Sequence, residues 1–224
     1  MSSNEIVIIT GSSGYIGSAL TKKLSANFKI IGLDRDIPDK RVEGVDYYAL
    51  DFSSSDELYE VIKGLRQKFG ASIKSVVHLV AYYSFSGEES DLYQKITVEG
   101  SGNLLRILNE FFQVEQFIFS STMLVHRPAP SGKEIDEESP VSPSWPYPES
   151  KVKAEKIIAK EKGNAKVVNL RIAGIYYDLL KIKTPKVVDG VKQDPLDGIS
   201  MTYTFKSPDA PEKKKHQYFE MAGS

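Results

Sequence analysis

Tyr147 and Lys151 stand four positions apart in "SWPYPESKVKAEK", a spacing that puts both side chains on one face of a helix. A phenol with an ammonium beside it can exchange a proton with a bound hydroxyl, because the positive charge draws the phenol's pKa of about 10 toward neutrality. The same pair also suits the solvated first turn of a surface helix, where Pro148 is tolerated. What the rest of the chain builds around the pair decides between the two.

A second group of residues points to an anion site. "EIVIIT" reads as a short β-branched strand, and "GSSGYIG" follows it directly, opening a segment in which Ile16, Ala19, Leu20 and Leu24 share a helical stripe. In that setting Gly11 makes the tight turn, Gly14 lets the backbone approach a pyrophosphate, and Gly17 permits close packing of helix on strand. The helix N-terminus supplies unpaired N–H groups and a favourable dipole. Asp34 closes the next strand, "KIIGLD", where a carboxylate can accept both hydroxyls of an adenosine ribose. Its negative charge opposes a 2′-phosphate and favours NAD over NADP, whereas the guanidinium of Arg35 pulls the other way. The competing reading is a structural turn followed by a surface aspartate.

The remaining pattern alternates strand and helix. "VDYYAL", "KSVVHLV", "EQFIFSS" and "AKVVNLRI" read as further strands. Leu58, Val61, Ile62, Leu65 and Phe69 form one helical stripe after "SSSDE", whose serines and Asp56 are natural N-terminal caps. A long helix is expected over 90–112 with Leu92, Ile96, Leu104, Leu105, Leu108 and Phe112 on its apolar face, and another begins near Tyr147. Six apolar strands joined by helical crossovers predict an α/β fold, a doubly wound parallel sheet with ligand at the carboxyl ends of its strands. The expected division is a dinucleotide-binding domain over 1–178 and an irregular tail, or remnant of a substrate domain, over 179–224, in which "SMTYTF" could form a strand.

Composition narrows the function classes. A net charge of −1 over 224 residues gives no field for nucleic acid, and the lysine run 213–215 reads as a solvated tail. No apolar run approaches the about 18–20 residues that span a bilayer, so no membrane partner is expected. The chain has no cysteine, and His78, His126 and His216 lack metal-ligand spacing, so no metal is expected. The N-terminus lacks the pattern of a secretory signal, and a cytoplasmic protein is expected.

The motifs "TGSSGYIG", "LDR", "ALDF", "VVHLVA", "TVEGSGNLLRI", "FIFSSTMLVH", "YPESK" and "VNLRIAGIY", in that order, resemble the extended short-chain dehydrogenase/reductases, the NAD-dependent epimerase/dehydratase family. The resemblance implies a Rossmann-type domain with NAD lined by Ser13, Tyr15 and Ile16 of the glycine turn, by Asp34 and Arg35, by Leu79, Val80 and Ala81, and by Tyr147 and Lys151. It implies adenine contacts from Asp51 and Phe52. It also implies that Thr122, Tyr147 and Lys151 carry the chemistry: Tyr147 exchanges a proton with a substrate hydroxyl while hydride passes to the nicotinamide, Lys151 holds the nicotinamide ribose, and Thr122 holds the reacting hydroxyl. Thr122 could equally be a strand-end hydroxyl bonding backbone. The expected function is an NAD-dependent epimerase or oxidoreductase acting at a carbinol carbon of a small molecule, with a nucleotide sugar as one candidate. The alternative is a dinucleotide-binding sensor or scaffold without turnover. Family members pair through the helices corresponding to 90–112 and 148–162, which implies a homodimer.

The chain departs from the family's pattern in places. Met123 and Leu124 replace the acidic pair of the sugar dehydratases and cannot transfer protons, which argues against dehydration. Thr97 stands where asparagine is usual, and Gly174 stands where many sugar-nucleotide epimerases have a substrate-binding asparagine. Tyr82, Tyr83 and Phe85 make the loop after the fourth strand aromatic, which suits either a less polar substrate or packing of the loop onto the sheet. Residues 179–224 do not match the family, so most of the substrate domain is expected to be missing.

Overall fold

The computed structural model describes residues 5–84, 88–127 and 135–172, together with the backbone of two short strands further on. The first six strands are β1 (Ile6–Thr10), β2 (Lys29–Asp34), β3 (Asp46–Ala49), β4 (Ser72–His78), β5 (Gln113–Thr122) and β6 (Lys166–Ile172). They form one sheet in the order β3-β2-β1-β4-β5-β6, with every pairing parallel. Central strands of such a sheet are covered on both faces, and β1 is buried at every position, as its unbroken apolar run requires. The strand order reverses between β1 and β4, and in open α/β sheets ligands bind beyond the carboxyl ends of the strands at such a switch point.

The helices are α1 (Tyr15–Leu24), α2 (Ser55–Phe69), α3 (Gly100–Phe111) and α4 (Pro146–Glu161). Leu58, Ile62 and Leu65 of α2, Leu104 and Leu108 of α3, and Ala154 and Ile158 of α4 join Ile8, Leu33, Phe117 and Phe119 in the main core. On the other face Leu20 and Leu24 of α1 pack against Val7, Ile9, Ile30 and Val77. Ser54 caps α2 by accepting the N–H of Glu57, so Asp56 lies inside the first turn and is not the cap. On α1 the predicted stripe holds for Ile16, Leu20 and Leu24, which are half-buried. Ala19 is exposed, and Gly17 and Thr21 are the buried positions.

The helix expected over 90–112 is not uniform. Tyr93–Glu99 winds as a π-helix before α3 begins at Gly100. The wider winding rotates the buried face, so Tyr93, Thr97 and Val98 point inward while Leu92 is 38% exposed. Such segments are rare and recur at functional sites.

The chain divides into two units, Met1–Ile172 and Ala173–Ser224. In the second, Val187–Val188 (β7) and Val191–Lys192 (β8) pair antiparallel, where the sequence reads as irregular. Phe85, Gly174, His216 and the segment "SMTYTF" lie outside the described residues.

Candidate active site

The glycine turn has the predicted form. Gly11 adopts φ 71°, its carbonyl accepts the Gly14 N–H at 3.2 Å, and Gly14 precedes α1 with no side chain capping the helix's first N–H groups. A methyl group added at Gly17 would lie 1.9 Å from the carbonyl oxygen of Gly11, so helix and turn meet there with room for hydrogen alone. The Asp34 carboxylate is held in place from two sides: Oδ2 accepts the N–H of Ser13 and Oδ1 that of Arg35, each at 2.8 Å. The Ser13 hydroxyl donates to the Asp36 carbonyl at 2.6 Å, fastening the turn to the end of β2. The Arg35 guanidinium is paired with exposed Asp36 at 3.2 Å. Asp51 accepts both the N–H and the hydroxyl of Ser53, and these bonds hold its carboxyl below the usual range. The ring of Phe52 lies in the core against His78, so its backbone is what it offers a ligand.

The facing wall is set by a buried hydrogen-bonded chain. The Ser101 hydroxyl donates to the Thr97 carbonyl at 2.6 Å and so must accept from His78 Nε2, 2.8 Å away. Nδ1 of His78 then accepts from the Thr10 hydroxyl at 2.7 Å. Thr10 Oγ1 in turn accepts the N–H groups of Leu79 and Val80, and Thr97 Oγ1 accepts that of Tyr82. Burial above all, with the Lys151 charge adding to it, pushes the His78 pKa down to about 3, which keeps the ring neutral as this chain demands. Leu79 and Val80 are thereby pinned against Gly11, with Ala81 following half-buried. Threonine at position 97 thus supplies a backbone anchor.

At the far end, Trp145 precedes α4 and Tyr147 sits in its first turn. Lys151, only 2% exposed, donates to the Ser120 carbonyl at 2.6 Å, with its ammonium 4.8 Å from the Phe119 ring and 5.7 Å from that of Tyr147. Thr122, two residues on along β5, is buried, and its oxygen accepts the N–H of Leu124 at 3.3 Å. That bond uses one lone pair and leaves the proton and the other lone pair for a further partner. Tyr83 sets its ring perpendicular to that of Tyr147 at 4.7 Å and reaches Trp145 at 6.3 Å, while Tyr82 packs edge-on against Tyr93 at 4.8 Å. The aromatic loop therefore frames the phenol. No group of metal-ligating side chains occurs among the described residues, and no described helix is long and apolar enough to cross a membrane.

Burial pulls the Lys151 pKa from 10.5 down to about 7, against the attraction of Glu155. The folded chain then holds fewer protons than the unfolded one between about pH 7 and 10.5, so this residue's contribution to stability rises through that window. Below pH 7 the buried ammonium opposes folding fully. Lys151→Met is expected to raise the urea midpoint at pH 6 and to lose that advantage by pH 10; a pH-independent difference would contradict this.

Residues 7–177 match the profile of the NAD dependent epimerase/dehydratase family. The chain belongs to this family. Among its relatives, UDP-glucose 4-epimerase 2 of Oryza sativa subsp. japonica is 30% identical over 161 residues, covering 67% of this chain and 39% of the relative. UDP-glucose 4-epimerase of Lacticaseibacillus casei is 31% identical over 156 residues, covering 68% and 45%. The solved structure of the Thermus thermophilus UDP-glucose 4-epimerase in complex with NAD is 27% identical, with a TM-score of 0.62 over 74% of this chain and 54% of that one. The chain spans roughly two-fifths to half of the length of these relatives.

Within the epimerase/dehydratase frame, the structure brings Gly11–Gly17, Asp34, Asp51 and Leu79–Ala81 to the carboxyl ends of β1, β2, β3 and β4, and Thr122 to the end of β5. Sequence reasoning passed over Ser121, Glu155, Arg171 and His126, which meet beneath Lys151. The available signal was Glu155 itself, one helical turn beyond Lys151 on the same face.

Proposed function

We propose that this chain binds NAD and carries out reversible oxidation at a carbinol carbon, as an epimerase or oxidoreductase, with a nucleotide sugar as the first substrate class to test. The observation that carries the reading is the uncapped start of α1 packed at Gly17 beside a carboxylate already oriented at Asp34. Those features fit a dinucleotide: the N–H groups from Tyr15 onward would take the pyrophosphate, Asp34 the adenosine ribose, Asp51 and the Phe52 backbone the adenine, and Lys151 the nicotinamide ribose. NAD, when bound, supplies the hydride acceptor. The chain's own residues manage the proton. Tyr147 takes it from the carbinol hydroxyl, Thr122 orients that hydroxyl, and the Lys151 charge favours the phenolate. Neither Met123 nor Leu124 can transfer a proton, which favours epimerisation or plain oxidation over dehydration. The relatives named as UDP-glucose 4-epimerases support the nucleotide-sugar class.

The test is incubation with NAD and a panel of UDP- and dTDP-sugars and simple secondary alcohols, following NADH absorbance and sugar epimers by NMR. Epimer or NADH formation that disappears in Tyr147→Phe is the expected result. NAD binding without turnover on any panel member would instead mark a dinucleotide-binding sensor or scaffold.

A further inference from the structure

Beneath the proton-transfer residues lies a buried ionic group that the reading above does not use. Glu155 of α4 is 8% exposed. Its Oε1 accepts the Ser121 hydroxyl at 2.5 Å and Arg171 Nε at 3.2 Å, and its Oε2 accepts Arg171 Nη2 at 2.8 Å. Arg171 Nη1 is 3.1 Å from His126 Nε2. A guanidinium can only donate, so that ring nitrogen accepts, and His126 Nδ1 carries the hydrogen that reaches the Pro140 carbonyl at 3.2 Å. One carboxylate thus ties α4 to β5 and β6, and through His126 to the segment that leads back into α4.

Two details connect this group to Lys151. Ser121 lies between Ser120, whose carbonyl receives the Lys151 ammonium, and Thr122. Fixing the Ser121 side chain therefore fixes the strand residues on either side of it. Glu155 also stands one helical turn beyond Lys151 on the same face of α4, where its negative charge favours the protonated lysine. Tyr147 shares its helix, His78 on β4 is held neutral, and Arg171 on β6 with His126 stands behind the carboxylate. The buried carboxylate is paired directly with Arg171, and Lys151 feels its charge from one helical turn away.

We propose that Glu155 is a positioning residue for Lys151: clamped by Arg171, its carboxylate holds Ser120–Thr122 against α4 and favours the charged form of Lys151. The inference rests on Lys151 acting in the site as described above. Its rival is an ion pair that joins two elements and leaves Lys151 untouched, which is a common role for buried pairs.

The two separate in a titration that needs neither substrate nor cofactor. In protein labelled with ¹³C-lysine, the Cε shift of Lys151, assigned by its loss in Lys151→Met, gives the midpoint of that ammonium directly. Glu155→Gln is expected to lower the midpoint by about one unit, the scale of one charge a helical turn away. Arg171→Met, which leaves the carboxylate to Lys151 alone, is expected to raise it. A purely structural pair would lower the melting temperature in both variants without moving the midpoint. Should Glu155→Gln not fold, the double variant Glu155→Gln/Arg171→Met removes the carboxylate together with the guanidinium paired to it, and its midpoint is expected to fall by less. An unchanged midpoint there overturns the proposal. If wild-type protein failed to bind NAD, the dinucleotide reading would fall, while the lysine midpoints would still decide this one.

Discussion

Tyr147→Phe is expected to reduce turnover by about 10²–10⁴-fold, the usual contribution of a positioned general acid or base, while leaving NAD affinity unchanged. The expectation follows from what the substitution keeps and what it removes. The ring stays between Tyr83 and Trp145, whose edge and face contacts do not need the hydroxyl. Lys151 keeps its bond to the Ser120 carbonyl and its place over Phe119. The proton carrier is gone. Turnover in both directions should therefore fall together, because the same oxygen removes the proton in oxidation and returns it in reduction. A variant that also lost NAD affinity would show instead that the phenol serves to hold the cofactor.

Gly17→Ala is the second large effect. The added methyl would stand 1.9 Å from the Gly11 carbonyl oxygen and 2.8 Å from the Ser12 Cα, and all of these neighbours are backbone that no rotamer change can clear. α1 must move away from the turn. Overpacking of this kind costs about 1–3 kcal/mol in stability. The displacement also carries the α1 N–H groups away from where a pyrophosphate would sit, and misplacement by about 1 Å can cost about a hundredfold. NAD affinity should fall far more than the melting temperature suggests, as measured by calorimetry beside thermal unfolding. Unchanged affinity would place the dinucleotide elsewhere.

The fold was legible in the sequence because its strands are continuous apolar runs. "KIIGLD" matches β2 residue for residue, and all six sheet strands fall where expected. The glycine turn was legible because close backbone approach demands glycine at fixed spacing. Position 97 shows the limit of such reading. Its difference from the family pattern was visible, but its role as anchor for the Tyr82 N–H depends on the π-helical winding of Tyr93–Glu99, which has no periodic signature in so short a segment. The same winding explains why Leu92, apolar and in phase with an α-helix, lies exposed. The Glu155 group escaped notice because its members come from separate strands, a helix and a turn, and only the fold brings them together. Tyr82 and Tyr83 pack on neighbouring aromatic rings rather than on the sheet, Tyr82 against Tyr93 and Tyr83 against Tyr147 and Trp145.

The central claim is a dinucleotide site built on the glycine turn and Asp34, with Lys151 at its far end. The measurement that tests it most directly is calorimetric titration of the wild-type chain with NAD and with NADP. Saturable binding of one NAD per chain is predicted, with NADP weaker because the Asp34 carboxylate opposes a 2′-phosphate and Arg35 is engaged with Asp36. Absence of binding by either dinucleotide would contradict the account.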